Sequence, residues 1–179
     1  LHDREYAIQR MNSLAKEDKD FIFIINYKAD GAYVEEYADI NPHELLFAFP
    51  SLTNIPVTES YESEAVEWFT EPPTREDYEP RINLVKQRER EGDSYLANLT
   101  CKIPVRTNLS LHDIFMRSKA LYRCWMKEKF VCFSPEIFVR INEEGLISSF
   151  PMKGTIDATR PDAEKKLMEN KKEAAEHAT

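Results

Sequence analysis

Glycine is scarce in this chain, with only 4 in 179 residues, so left-handed or sterically crowded backbone has few places to occur. The four act as punctuation. Gly31 follows Ala29-Asp30 and predicts a turn, Gly92 follows the charged run Arg88-Glu89-Arg90-Glu91 and predicts a helix end, and Gly145 closes a hairpin turn begun by Asn142-Glu143-Glu144. The fourth stands directly after an amine, in Pro151-Met152-Lys153-Gly154-Thr155. There the absence of a Cβ lets the main chain approach a bound molecule, beside a lysine that a partly buried site can turn into a nucleophile.

Between these marks the hydrophobic pattern predicts alternating helices and strands. Residues 4–16 carry Tyr6, Ala7, Met11 and Leu14 on one helical side. Phe21-Ile22-Phe23-Ile24-Ile25 reads as a buried strand, with residues 32–37 as its hairpin partner. Asn41-Pro42-His43-Glu44 is expected to open a short helix over Leu45, Leu46 and Phe47. After the breaker Glu71-Pro72-Pro73, Thr74 caps a helix through Tyr78, Ile82 and Val85 that Gly92 stops. Residues 94–103 then read as a strand and residues 111–120 as a helix. Strands follow over 122–126, 130–133 and 137–141, with 146–150 returning across the Gly145 turn. Thr159 with Asp162 resembles a capping pair for a last helix striped by Ala163, Leu167, Lys171, Ala174 and Ala178. No stop signal follows before Thr179, and the chain starts at Leu1, so both ends read as cuts in a longer protein.

Charge and apolar run length narrow the function. A net charge of −8 and the lack of a basic patch with interleaved aromatics argue against a nucleic-acid surface. The longest apolar run is far below the roughly 20 residues of a membrane helix, and the charged first twenty residues contain no secretory signal. Cys101, Cys124 and Cys132 have no metal-type spacing, which points to reduced, mostly buried thiols in the cytoplasm.

Taken singly, the candidate site residues have ordinary readings. Lys153 alone is an exposed loop lysine. Glu136, after Ser134-Pro135, is either a solvated junction acid or one whose pKa Val131, Phe133, Ile137 and Phe138 raise by desolvation. Glu176 reads as part of a charged helix face with Glu169 and Glu173, and Asn98 as a strand amide in need of partners. Gly-rich phosphate loops, zinc cysteine pairs and a serine with an oriented histidine are absent.

Four segments stand in order along the chain: Gly92-Asp93-Ser94-Tyr95-Leu96-Ala97-Asn98-Leu99-Thr100, Ser134-Pro135-Glu136-Ile137-Phe138, Pro151-Met152-Lys153-Gly154-Thr155 and Lys172-Glu173-Ala174-Ala175-Glu176-His177. Together they resemble the chorismate-utilising enzymes, and within them the component I of aminodeoxychorismate synthases. Leu96 replaces a common glutamine and Met152 a usual isoleucine. Lys153 also discriminates inside the family, because anthranilate, isochorismate and salicylate synthases typically carry alanine there.

The resemblance implies an α+β or α/β fold of anthranilate-synthase-like antiparallel sheets with outer helices. Residues 1–179 would be its N-terminal portion, with 1–91 matching weakly and 92–179 beginning the catalytic core. Exposed edges and apolar surface are expected of such a portion. It further implies that Lys153 attacks C2 of chorismate as the 4-hydroxyl leaves, and that ammonia from a glutamine amidotransferase subunit then enters at C4 and expels the lysine. Glu136 would be the general acid, Gly154 and Thr155 would line the substrate, and Glu176 would be one ligand of a Mg²⁺ that holds a substrate carboxylate. Two other functions stand beside this one: another chorismate enzyme such as anthranilate synthase, against which Lys153 speaks, and a non-catalytic fragment or interaction module.

Overall fold

Local capping chemistry sets the first element. In the computed structural model, which describes residues 1–57, 65–94, 97–134, 137–150 and 156–171, helix α1 spans Arg4–Lys16 and Asp3 caps it by accepting the Tyr6 N–H at 2.8 Å. Strands β1 (Phe21–Ile25), β2 (Ala32–Glu36), β3 (Leu45–Phe49), β4 (Leu52–Thr53) and β5 (Trp68–Thr70) follow, then helix α2 (Arg75–Glu91). The rest comprises β6 (Val105–Thr107), α3 (Leu111–Arg117), β7 (Tyr122–Met126), β8 (Phe130–Ser134), β9 (Arg140–Ile141), β10 (Ile147–Ser148) and α4 (Ala163–Met168). Every pairing among the described strands is antiparallel, so the class is mixed helix and antiparallel sheet, as expected. The chain divides into two units, residues 1–59 with 118–179, and residues 60–117.

The first unit is layered. Its central layer is the β1–β2 hairpin, in register Phe23 with Val34 and Ile24 with Tyr33. Because strand side chains alternate, this hairpin has two apolar faces. Phe21, Ala32 and Val34 pack on Ala7, Met11 and Leu14 of α1, while Ile22, Ile24 and Tyr33 meet a second core of Ile40, Leu45, Phe47 and Met126. That second core lies on a four-stranded sheet of order β4-β3-β7-β8, with Leu45 opposite Met126 and Phe47 opposite Cys124. Leu46 and Trp125, paired on the sheet's other face, are also buried. Each large apolar side chain so buried stabilises the fold by about 1.5–3 kcal/mol.

The layering explains why the expected helix over Leu45, Leu46 and Phe47 is instead strand β3. Asn41 does open one turn: its carbonyl accepts from the N–H groups of Glu44 and Leu45, each at 3.0 Å, and its side chain accepts from His43. Leu45, Leu46 and Phe47 are then all buried, and burying consecutive residues on opposite faces suits a strand covered on both sides. Asn54 extends the ladder past the Pro50-Ser51 turn, accepting the Phe47 N–H and donating to the Leu45 carbonyl, both at 2.8 Å. Asn54→Ala leaves two strand groups unpaired and is expected to cost about 1–3 kcal/mol in denaturant unfolding. An unchanged midpoint would show the bridge to be dispensable.

The second unit pairs β5 with β6, Trp68 opposite Thr107 and Thr70 opposite Val105. Here Asn108 repeats the Asn54 device, accepting from the Glu67 N–H and donating to the Ala65 carbonyl. Helix α2 starts and stops where expected. Thr74 Oγ1 accepts the Asp77 N–H, and Gly92 takes φ 85° at its end. A Ser110–Asp113 capping box opens α3, with each residue's side chain accepting the other's backbone N–H. Among the described residues of 94–103 there is no strand, pairing here beginning at Val105–Thr107, and Asn98 is exposed rather than a buried amide. Trp68 and Phe69 are about half exposed, at 49% and 58%.

Candidate functional site

The described residues that lead into the sequence-predicted site belong to the first unit. Strand β8 ends at Ser134, the residue before Pro135-Glu136, and Ser134 lies opposite Tyr122 of β7. Past Glu136 the chain forms the β9–β10 hairpin, Ile141 opposite Ile147 and Arg140 opposite Ser148. Its turn is as predicted. Asn142 Oδ1 accepts the N–H groups of Glu144 and Leu146 at 3.1 and 2.9 Å, and Gly145 takes φ 77°, which a side chain would strain. The strand expected over 137–141 is confined to Arg140–Ile141, and the return over 146–150 to Ile147–Ser148.

A cavity of about 360 Å³ opens beside this hairpin, lined by Phe49, Pro50, Ser51, Tyr122, Ile137, Val139 and Arg140. The Phe49 and Tyr122 rings lie 6.0 Å apart. Its walls are mainly apolar, with one guanidinium, one phenol and one hydroxyl. The depression is open to solvent on much of its surface, with Arg140 as its one charged lining residue. Sequence reasoning missed this cavity, because the turn of β3–β4 and the strand after Glu136 are more than eighty positions apart in the chain. Only the strand pairing of β3 with β7 brings Phe49 near Tyr122.

Downstream, Asp157 Oδ1 accepts from both the Thr159 N–H, at 3.0 Å, and the Thr159 hydroxyl, at 2.7 Å. These bonds hold the Asp157 carboxyl below its ordinary pKa, the hydroxyl contributing most. Thr159 is thereby occupied, which corrects the expected Thr159–Asp162 capping pair. Asp162 sits at the start of α4 with φ 57° and makes no side-chain cap bond.

The two thiols of the β7–β8 hairpin face each other, Cys124 opposite Cys132. Burial, and then the nearby Cys132, push the Cys124 thiol up from 9.0 to about 12. Between those values the unfolded chain releases a proton that the folded chain retains. Stability is therefore intact below pH 9.0 and falls as pH rises toward 12. Cys124→Ala is expected to flatten this alkaline limb of the pH–stability curve; an identical limb would contradict the assignment.

Lys153, Gly154 and Thr155, with Glu136 and Glu176, all lie outside the described residues. Among the described residues no group of three or more His, Cys, Asp or Glu side chains is arranged to hold a metal ion. No helix of the described residues is long and apolar enough to cross a membrane.

Comparison with known proteins gives the family. Residues 6–179 match the model of the chorismate binding enzymes. An uncharacterized PabA-like protein of Pasteurella multocida is 34% identical over 172 residues, 96% of this chain and 53% of that protein. An uncharacterized PabA-like protein of Haemophilus influenzae is 33% identical over 175 residues, 98% of this chain and 52% of that protein. The chain thus spans about half the length of the curated relatives it matches. No solved structure matches it. With a family match over nearly its whole length, and the helix-and-antiparallel-sheet architecture to accompany it, this chain belongs to the chorismate binding enzyme family.

Proposed function

We propose that the protein aminates chorismate at C4 to give 4-amino-4-deoxychorismate, on the para-aminobenzoate branch of folate synthesis. The observation that carries this reading is Lys153, in Pro151-Met152-Lys153-Gly154-Thr155, within a chain that matches the chorismate binding enzymes from residue 6 to residue 179. A relative's designation as PabA-like points to the same branch.

In this reading the neutral Lys153 amine forms a bond to C2 and gives up a proton, both ring double bonds shift (C1=C2 to C6=C1, C5=C6 to C4=C5), and the C4–O bond breaks. Glu136 gives its proton to the departing hydroxyl, which leaves as water. Ammonia from a glutamine amidotransferase subunit then bonds to C4, both double bonds shift back, and the C2–N bond to Lys153 breaks as the proton given up by the ammonia goes to the lysine nitrogen. Gly154 and Thr155 line the substrate, one by close backbone approach and the other by its hydroxyl. Glu176 would help to hold a Mg²⁺, whose charge would offset that of the dicarboxylate substrate. The setting is the cytoplasm, consistent with three free thiols.

The test is incubation with chorismate, Mg²⁺ and ammonium, followed by separation of the products. Aminodeoxychorismate is the expected product. Anthranilate in its place would move the protein to another branch of the family, and no turnover by a folded sample would remove the claim that this chain is an enzyme.

A further inference from the structure

We infer that Cys124 and Cys132 are a paired oxidation site, closing to a reversible cross-strand disulfide when the protein meets a peroxide. The two residues are direct partners in the β7–β8 register, on the same face of the sheet. Antiparallel partners have Cα atoms about 4.5–5.5 Å apart, inside the roughly 4.4–6.8 Å that a disulfide spans. The backbone need not move far to join them. The proximity of Cys132 also adds to the upward push on the Cys124 thiol, after burial.

Their environments divide the labour. Cys132 is exposed and meets the oxidant, whereas Cys124 packs against the second core and waits beside it. The Cys132 thiolate attacks one oxygen of hydrogen peroxide, the O–O bond breaks, and a sulfenic acid forms with release of water. Cys124 sulfur then attacks the sulfenic sulfur, the S–O bond breaks, and the hydroxyl leaves with the Cys124 proton as a second water. Two thiols and one peroxide give one disulfide and two waters. Both cysteines are free in the structure, so it represents the reduced form. The inference does not depend on the proposed reaction.

The test is to expose the full chain to a small excess of hydrogen peroxide, block remaining thiols with N-ethylmaleimide and weigh the protein before and after digestion. The expected result is one maleimide, on Cys101, a Cys124–Cys132-linked peptide, and recovery of all three labels after dithiothreitol. Cys132→Ser should give no linked peptide. Three labels after oxidation, a Cys132 sulfinic acid without the link, or a link through Cys101 would each overturn the inference.

Discussion

Phe47→Ala is expected to destabilise the protein by about 3–5 kcal/mol, the range for removing a buried aromatic ring and leaving a cavity. Phe47 is 1% exposed and belongs to the core between the β1–β2 hairpin and the four-stranded sheet. Its ring meets Phe49 at 5.1 Å and Tyr37 edge-on at 6.2 Å, so the neighbours are themselves bulky and cannot readily collapse into the space. Against a usual total of about 5–15 kcal/mol, such a loss leaves a large fraction unfolded. Phe23→Ala is the control: Phe23 is on the hairpin but 53% exposed, and should cost about 1 kcal/mol or less. Equal shifts for the two in urea unfolding would contradict the layered arrangement.

Lys153→Ala carries the largest expected effect on chemistry. With no amine there, the proposed route has no nucleophile at C2, and amination at C4 should fall to the background of the assay while chorismate still binds. Because alanine is what the anthranilate-type relatives are expected to carry, the variant also asks whether that one side chain selects the outcome. Unchanged aminodeoxychorismate formation would remove Lys153 from the mechanism.

Much of the fold is legible in the sequence where a local signal decides it. Thr74 and Gly92 bracket α2, Asn142 and Gly145 make the β9–β10 turn, and the Phe21–Ile25 run is a strand as its branched and aromatic residues predict. The failures occur where distant residues decide. Nothing near Leu45 reveals that β7, some eighty positions later, pairs with it edge to edge, or that Ile22, Ile24 and Tyr33 of the β1–β2 hairpin cover the Leu45 and Phe47 face, so the Asn41 turn signal alone predicts a helix that does not form. Asn54 and Asn108 complete strand ladders with side chains, a role that an asparagine in a loop does not advertise. The Thr159–Asp162 spacing predicts a cap, but Thr159 turns back to donate its N–H and hydroxyl to Asp157, and α4 starts at Asp162 with no side-chain cap bond. Lys153, Glu136, Gly154, Thr155 and Glu176 stand in the sequence as a motif order and lie outside the described residues. The cavity walled by Phe49, Tyr122 and Arg140 is not legible in the sequence, because only the folded sheet assembles it.

The most direct measurement of the central claim is a mass spectrum of the protein after incubation with chorismate and Mg²⁺ in the absence of ammonia. With no ammonia to expel the lysine, the account predicts a covalent adduct with the mass of chorismate less one water, mapped by digestion to Lys153, absent from Lys153→Ala and discharged as aminodeoxychorismate when ammonium is added. A folded sample that aminates chorismate yet carries no adduct on Lys153, or carries it on another residue, would contradict the account.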